Sequence, residues 1–173
     1  MPDLTLALAG NPNAGKSTIF NAFTGLRQHV GNWPGKTVEK REGTCVYAGL
    51  TISIVDLPGT YSLTAYTPEE IVARSYILEQ HPDAVINVVD ATNLERNLYL
   101  TVQILELGVP VIIALNMADG LRKDGVTIDL AELSRALDHS PIVLTAANRG
   151  EGLDSLLAQA VRIASHPAKG NPV

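Results

Sequence analysis

The sequence predicts an α/β fold of three layers, in which helices cover both faces of a mostly parallel sheet. Two observations support this prediction. Short apolar runs rich in Val, Ile and Leu alternate with longer segments of helical period, as in parallel sheets built from repeated strand and helix units. The chain has 173 residues, of which 46% are hydrophobic and 18% charged, enough to bury one substantial core. We therefore expect one domain over residues 1–165.

About six strands are expected. Residues 47–50 (Tyr-Ala-Gly-Leu) lie between two strand-like runs and are typical of a hairpin turn, which indicates one antiparallel edge strand. The predicted strands are near residues 4–9, 44–48, 51–55, 84–89, 111–116 and 142–145. The predicted helices begin near residues 15, 68, 94, 129 and 152, and the last carries an apolar stripe. Residues 166–173 contain two prolines and a glycine without apolar periodicity, so a flexible tail is expected there.

Composition and charge argue against several classes of function. The 18 acidic residues exceed the 13 basic ones, so the net charge is −5 and no global positive field exists to attract nucleic acid. The single cysteine, Cys45, cannot form an intrachain disulfide, and the N-terminus lacks a signal-peptide pattern, so a reducing cytoplasm is expected. The longest apolar runs fall far below the roughly 20 residues of a membrane helix. The four histidines show no metal-ligand spacing, so we expect them to be surface or core residues rather than metal ligands.

Residues 10–17 (Gly-Asn-Pro-Asn-Ala-Gly-Lys-Ser) match the phosphate-binding pattern G-x-x-x-x-G-K-[ST] between a predicted strand and a predicted helix. Glycines there let backbone N–H groups curl around phosphates, and the helix N-terminus adds its dipole. Lys16 is expected to reach the β- and γ-phosphates, and Ser17 to bind Mg²⁺. The alternative, a connecting turn, needs no lysine at this position. The nucleotide-binding candidates are Asn11, Asn13, Ala14, Gly15, Lys16, Ser17 and Thr18.

A second motif, Asp56-Leu-Pro-Gly59, follows the predicted strand at 51–55. Asp56 is expected at the carboxyl edge of the sheet, where it can hold Mg²⁺ through water. Gly59 has no side chain, so its N–H can approach a γ-phosphate. An isolated D-x-x-G is more often an Asx-type turn, and the presence of the phosphate loop favours the functional interpretation.

A third motif, Asn116-Met117-Ala-Asp119, predicts selectivity for guanine. A carboxylate can accept from both N1–H and N2–H₂ of guanine, whereas adenine would leave these acceptors unpaired at a cost of about 1 to 3 kcal/mol each. By itself N-x-x-D is more often a strand-end cap. The candidates after the last predicted strand are Thr145, Ala146 and Ala147. The backbone N–H of one of the two alanines is expected to meet guanine O6, and the sequence leaves open which one.

Residues 30–38 (Val-Gly-Asn-Trp-Pro-Gly-Lys-Thr-Val) are polar, glycine-rich and irregular, which predicts a mobile loop. Thr37 is the candidate for a second hydroxyl on Mg²⁺, bound only when a γ-phosphate is present, so that GTP orders the loop and hydrolysis releases it. Gly35 and Lys36 are neighbouring nucleotide-binding candidates. A lone threonine in a loop is usually just solvated, and the interpretation rests on the position of Thr37 in the chain.

These motifs in this order resemble the TRAFAC class of small G domains, which implies a Ras-like three-layer fold. Residues 10–13, 30–35, 56–62 and 87–99 narrow the resemblance to the amino-terminal G domain of FeoB ferrous-iron transporters. That resemblance implies a GTPase at the cytoplasmic face of a membrane, joined through a helical inhibitor domain to an iron permease. It also leaves open a homo-oligomer formed through the G domain. Neither further domain lies within these residues, so the chain is expected to be part of a longer protein.

Thr60 stands directly after the second motif, where Ras-like enzymes have a glutamine that orients the attacking water, so slow hydrolysis is expected. The resemblance further implies a K⁺ ion held against the phosphates by Asn13 and by carbonyls of Gly31 and Trp33, with a mere turn role for Asn13 as the alternative. A fixed cation would offset charge that develops between the phosphates. The catalytic candidates are Asn13, Lys16, Thr37 and Gly59.

The chain departs from the family pattern at two places. Lys36 stands where a small apolar residue is usual, and the last loop has alanines where a serine is common. Faster GDP release, or selectivity relaxed towards ATP, is the expected consequence. Two other functions stay open: a free-standing Era-like GTPase of ribosome assembly, which the acidic composition opposes, and a GTP/GDP switch module with negligible turnover of its own.

Overall fold

The structure is a computed structural model that describes residues 1–166. Its strands are β1 Leu4–Gly10, β2 Gln28–Asn32, β3 Glu39–Tyr47, β4 Leu50–Asp56, β5 Ala84–Asp90, β6 Val111–Asn116 and β7 Ile142–Leu144. Its helices are α1 Lys16–Thr24, α2 Pro68–Gln80, α3 Leu94–Glu106, α4 Ala118–Asp124, α5 Leu130–Ala136 and α6 Leu153–Ser165. Two 3-10 turns, Ala91–Asn93 and Ala147–Arg149, precede α3 and α6.

The strands form one sheet in the order β2-β3-β4-β1-β5-β6-β7. Strand β1 lies in the middle and pairs in parallel with β4 and β5, and parallel pairing continues through β6 to β7. Among the strands within residues 1–166, only β3 runs antiparallel to its neighbours. Tyr47 pairs with Leu50, which confirms the predicted hairpin. The predicted fold class is confirmed, and the carboxyl ends of the parallel strands meet at one edge, where ligands bind in such sheets.

In the described part of the chain the sheet has seven strands rather than about six, because β2 overlaps the start of a segment that the sequence predicts to be irregular. The expectation of a loop over residues 30–38 is therefore wrong for residues 30–32. Val30 of β2 pairs with Arg41 of β3, and β2 rather than β3 is the edge strand. Side chains of β2 are mostly exposed, so backbone pairing forms this strand without the hydrophobic alternation that marks a strand in sequence.

Helices cover both faces of the sheet and make the three layers. Helices α1 and α6 pack on one face, around Phe20, Ile54 and Leu156. Helices α2 and α3 pack on the other, with Ile77 and Ile104 at no measurable exposure, and α4 and α5 extend that cluster. Burying each large aliphatic side chain contributes about 1.5 to 3 kcal/mol relative to leaving it exposed. The resulting rigid core fixes the positions of the loops at the carboxyl edge.

The helix starts agree closely with the sequence. Helices α2 and α3 begin at residues 68 and 94 as predicted, and α2 starts with a capping box in which Thr67 and Glu70 bond each other's backbone N–H groups. The predicted apolar stripe of α6 is buried. The sequence does not predict helix α4, because seven residues after Met117 are too few to show a helical period.

Three further features of the chain concern the hydropathy of its helices, its single cysteine and its last residues. None of the helices within residues 1–166 combines the length and the hydropathy that a bilayer-spanning segment needs. Cys45 is buried in β3, and burial raises the pKa of its thiol although nearby Arg27 partly opposes the shift. The predicted flexible tail at 166–173 lies outside the described residues apart from His166.

Candidate functional site

The phosphate-loop motif forms a cavity of about 600 Å³ between the end of β1 and the start of α1. Gly15 is the N-cap of α1 with φ 97°, a left-handed conformation that suits glycine, and a Cβ there would overlap the amide of Asn116. Ala14 is buried beneath the loop. The residues that line the cavity are Asn11, Pro12, Asn13, Gly15, Lys16, Ser17, Thr18, Gly59 and Met117. The structure thus gathers most of the predicted phosphate-binding residues around one space.

Lys16 and Asp56 form a buried ion pair at the floor of this site. Their side chains are 10% and 6% exposed. Burying a charge costs free energy unless it is paired, and here each group supplies the other's partner. Arg41 approaches the second carboxylate oxygen, with Nη1 3.8 Å from Oδ2. The Ser17 hydroxyl and the Asp56 carboxylate are the hard oxygen donors that Mg²⁺ prefers, so these residues fit that ion.

The segment after β4 lies against the phosphate loop. A Cβ at Gly59 would come within 3.4 Å of Pro12 Cα, and the backbone N–H of Thr60 donates to the Gly10 carbonyl at 3.2 Å. Thr60 is 5% exposed and does not line the cavity, although Gly59 does. The predicted proximity of the second motif to the phosphate loop is thus present, with Gly59 rather than Thr60 facing the cavity.

Asn116 joins three loops through its buried side-chain amide. Its Nδ2 donates to the Ala14 carbonyl at 2.9 Å, and its Oδ1 accepts from the Thr145 hydroxyl and the Ala147 N–H, both at 3.0 Å. A second cavity of about 330 Å³ adjoins this amide. It is lined by Gly15, Thr18, Thr92, Asn116, Met117, Asp119, Gly120, Ala147 and Asn148. Gly15, Thr18 and Met117 line both cavities, so the two adjoin each other.

Asp119 presents its carboxylate in this second cavity. Asn148 Nδ2 lies 3.5 Å and Arg149 Nε 3.4 Å from Asp119 Oδ2. Desolvation opposes ionisation of this carboxyl, but the hydrogen bond from Asn148, backbone N–H groups and the charge of Arg149 together lower its pKa. The lowered pKa favours the ionised carboxylate, whose oxygens accept hydrogen bonds. Sequence reasoning missed the contacts of Asn148 and Arg149, and the one available signal was their place directly after the predicted loop.

The two alanines of the last loop already donate their backbone N–H groups within the protein. Ala146 donates to the Glu151 carbonyl at 3.1 Å, and Ala147 donates to the Asn116 side chain. The next residue, Asn148, also lines the second cavity, and its backbone N–H has no protein acceptor in the hydrogen bonds found within residues 1–166. Among these three residues, Asn148 therefore has the backbone N–H that is available to a ligand.

The tryptophan loop, residues 30–38, lies away from the phosphate cavity. The Trp33 ring packs edge-to-face on Tyr76 of α2, with centroids 5.4 Å apart, and Lys40 lies 5.4 Å from the Trp33 centroid. Trp33, Pro34 and Lys36 line a separate cavity of about 450 Å³ against α2. Burial and the charge of Glu42 raise the pKa of Tyr76 to about 12.

Consequently the structure does not bring several predicted site residues to the cavity at the phosphate loop. The predicted residues of this loop that are not among those lining the phosphate cavity are Gly31, Trp33, Gly35, Lys36 and Thr37. The Trp33 carbonyl accepts from the Lys36 N–H at 2.9 Å, so the predicted K⁺ ligands are not assembled with Asn13 in this conformation. Within residues 1–166 the structure shows no group of three or more His, Cys, Asp or Glu side chains placed to hold a metal.

Comparison with known proteins identifies the family of the chain. The family model "Ferrous iron transport protein B" matches residues 4–160. The Fe(2+) transporter FeoB of Salmonella typhimurium is 52% identical over 160 residues, which is 90% of this chain and 21% of that protein. The chain thus spans about a fifth of the length of this relative.

Two solved structures are similar over nearly the whole chain. The cytosolic domain of the T. maritima FeoB iron transporter in a GDP form has a TM-score of 0.92 and 45% identity, covering 98% of this chain and 66% of that one. A point mutant of S. thermophilus NFeoB bound to GDP has a TM-score of 0.89 and 49% identity, covering 95% and 65%. With a family model matched along most of its length and a relative at 52% identity, this chain belongs to the family of ferrous iron transport protein B, in the region of the FeoB G domain.

Proposed function

We propose that the chain binds GTP and GDP together with Mg²⁺, hydrolyses GTP slowly, and acts as a nucleotide switch that regulates ferrous iron transport across the membrane. The observation that carries this proposal is the side chain of Asn116, which ties the phosphate loop to the last loop beside Asp119. Two adjoining cavities therefore offer Lys16 and backbone N–H groups on one side and the Asp119 carboxylate on the other, which supports binding of phosphates in the first and of a guanine base in the second.

At the phosphate end, Lys16 exchanges Asp56 for β- and γ-phosphate oxygens. Backbone N–H groups of residues 13–18 surround the phosphates at the start of α1, where the helix dipole favours negative charge. The Ser17 hydroxyl and the Asp56 carboxylate would hold Mg²⁺, which when bound supplies neutralisation of phosphate charge. Gly59 leaves room for its N–H to meet a γ-phosphate.

At the base end, Asp119 accepts from N1–H and N2–H₂ of guanine. Asn148 holds the carboxylate from one side, and its backbone N–H is the donor we propose for guanine O6 in place of Ala146 or Ala147. Thr145 contributes by fixing Asn116. With adenine the carboxylate oxygens would remain unpaired, which favours guanine by about 1 to 3 kcal/mol for each lost bond.

Hydrolysis is proposed to be slow because no glutamine follows Gly59, and the buried Thr60 takes its place. Asn13, Lys16, Gly59 and Thr37 remain the catalytic candidates. Thr37 can reach the site, and Gly31 and Trp33 can join Asn13 in holding K⁺, only after the tryptophan loop leaves Tyr76. Closure of that loop on a γ-phosphate would be the switch.

The transport role is proposed from the family. Proteins named Fe(2+) transporter FeoB match this chain over a fifth of their length. We propose that the remainder of such a protein supplies the helical inhibitor domain and membrane permease, and that this domain works at the cytoplasmic face. A homo-oligomer through the G domain is part of the same proposal. The net charge of −5 opposes the alternative of a ribosome-assembly GTPase, which would need a basic RNA-binding surface.

A second candidate function is a switch module with negligible turnover of its own, favoured by the docking of the tryptophan loop on α2. One calorimetric titration with GTP, GDP and ATP in the presence of Mg²⁺ tests the nucleotide-binding proposal. We expect heat with both guanine nucleotides and much weaker binding of ATP. Absence of binding to guanine nucleotides would contradict it. Single-turnover hydrolysis then separates a working enzyme from the switch module.

A further inference from the structure

Arg41 lies beside the candidate Mg²⁺ carboxylate and is held from several sides. It pairs directly with Asp56 across the β3–β4 ladder, and its Nη1 lies 3.8 Å from Asp56 Oδ2. Its guanidinium carbon lies 4.9 Å from the centroid of the buried Phe20 ring. The side chain is 23% exposed. An arginine in such a position loses little further conformational freedom when it makes a directed contact.

The other edge of the guanidinium belongs to a small polar network. Arg41 Nη2 donates to Asn21 Oδ1 at 3.0 Å and to Gln28 Oε1 at 3.2 Å. Gln28 Nε2 in turn donates to Asn21 Oδ1 at 3.0 Å and to the Gly25 carbonyl at 2.8 Å. Arg41 is thereby fixed to α1 and to the first residue of β2. Arg41 can bond this network through Nη2 and contact Asp56 through Nη1. A lysine has one ammonium group and cannot serve both contacts from two separate nitrogens.

The two oxygens of Asp56 have different partners. Oδ1 pairs with Lys16, whereas Oδ2 faces Arg41. In the proposed function Lys16 turns to the phosphates, and the nearly buried carboxylate loses its main partner at the step when it must point an oxygen at the hydrated metal. We propose that Arg41 is a positioning residue that then holds Asp56 by Oδ2 and so keeps its other oxygen directed at the Mg²⁺ site. This inference rests on the proposed function.

The test uses the Mg²⁺ dependence of GDP release, measured with a fluorescent GDP analogue chased by unlabelled GDP. Arg41→Met keeps an unbranched aliphatic side chain and removes the guanidinium together with its contact to the Phe20 ring. We expect it to raise the Mg²⁺ concentration that half-maximally slows release by about 10-fold, the usual effect of losing a group that orients a metal ligand. Arg41→Lys keeps the positive charge but lacks the two separate nitrogens of the guanidinium. We expect it to raise the same Mg²⁺ concentration by a smaller factor.

Arg27→Met is the matched control, because Arg27 is an exposed arginine just before β2 and its side chain makes no hydrogen bond or ion pair within residues 1–166. It should leave the Mg²⁺ midpoint unchanged. Thermal unfolding of the nucleotide-free variants reports any purely structural role.

An unchanged or lowered midpoint in Arg41→Lys and Arg41→Met, or an equal rise in Arg27→Met, overturns the positioning role while the wild type still binds GDP. Wild-type protein that does not bind GDP, or releases it without regard to Mg²⁺, overturns the proposed function itself. If Arg41→Met does not fold, Arg41→Lys and Asn21→Ala, which loosens the anchor, decide the question.

Discussion

Asn116 and Ala14 lie 102 residues apart in the chain, yet the Asn116 amide donates to the Ala14 carbonyl at 2.9 Å. This bond fixes the base end of the cleft relative to the phosphate end. Replacing Asn116 with alanine removes this bond and two more, and leaves the Thr145 hydroxyl and the Ala147 N–H without their acceptor. We expect a loss of about 2 to 4 kcal/mol in unfolding free energy, at about 1 kcal/mol per net bond and more for stranded groups.

Urea denaturation checks this loss, and calorimetry should show weaker GDP binding in the same variant. Thr145→Val keeps the side-chain shape and removes only one of the three bonds, so about 1 kcal/mol is expected. Equal stabilities of wild type and Asn116→Ala would contradict the structural role given to Asn116.

Asp119→Asn tests base recognition. An amide has one acceptor and one donor group where the carboxylate has two acceptors, so one guanine bond is lost and an N–H group opposes a donor. We expect GDP affinity to fall by about 10- to 100-fold, with no comparable change for ATP. Competition binding with GDP and ATP measures both. Asp124→Asn, at the exposed end of α4, is the control and should bind GDP as the wild type does.

Glu70 gives a prediction of pH dependence. Its carboxylate accepts from Ser62, Tyr66, Thr64 and Thr67, and these bonds, with that from Ser62 largest, lower its pKa although desolvation opposes them. A lowered pKa in the folded state means that the stabilising contribution is complete above the ordinary glutamate pKa of about 4.3 and is lost as pH falls through the folded value.

Glu70→Gln should therefore lower the melting temperature at pH 7, and this effect should shrink at a low pH at which the wild-type carboxylate takes up a proton. Thermal unfolding at both pH values makes the comparison. Glu69→Gln is the matched control, because Glu69 is exposed in the same first turn of α2 and makes none of these bonds. A stability difference that did not vary with pH would rule out ionisation of Glu70 as its source.

Trp33 is the single tryptophan of the chain and reports on the tryptophan loop. Its edge-to-face contact with Tyr76 contributes about 0.5 to 1.5 kcal/mol to the docked position. If GTP draws the loop to the phosphates, a non-hydrolysable GTP analogue with Mg²⁺ should shift Trp33 emission to longer wavelength. Tyr76→Ala should produce part of that shift without nucleotide, whereas Tyr76→Phe should not. Identical emission spectra in all four samples would exclude this movement.

K⁺ is expected to accelerate GTP hydrolysis well above Na⁺ at equal ionic strength, because a cation held by Asn13 and the tryptophan loop offsets charge developing between the phosphates. Phosphate release in the two salts measures the difference. Asn13→Ala should remove most of the advantage of K⁺ while GDP binding persists. Equal wild-type rates in K⁺ and Na⁺ would eliminate the potassium hypothesis.

The parts of the site that the sequence predicted are those encoded by residues adjacent in the chain. These residues lie at or shortly after the carboxyl end of a buried strand, so the common edge of a parallel sheet brings them together once the strands are recognised: Lys16, Asp56, Asn116 and Asp119. The order of the motifs along the chain favoured a nucleotide-binding interpretation of each motif over its structural alternative. The family and the fold class followed from the same local patterns and are confirmed.

The parts that were missed depend on contacts between distant segments. Asn148 and Arg149 reach Asp119 from 29 and 30 positions away, and nothing in their own neighbourhood indicates a carboxylate partner. Strand β2 is formed by backbone pairing with β3 and not by hydrophobic alternation. The docking of Trp33 on Tyr76 joins two segments that are distant in the chain, and no local pattern of residues indicates it.

The ion pair of Lys16 with Asp56 has a consequence for the order in which ligands arrive. A triphosphate alone would draw away the Lys16 ammonium and leave Asp56 with Arg41 as its remaining ion-pair partner, 3.8 Å away. A divalent cation alone would take the carboxylate and leave the buried Lys16 ammonium without its partner. When a metal and a nucleotide enter together, each side chain exchanges one partner for another. Under the proposed function we therefore expect the domain to bind the Mg²⁺–nucleotide complex more readily than either component alone.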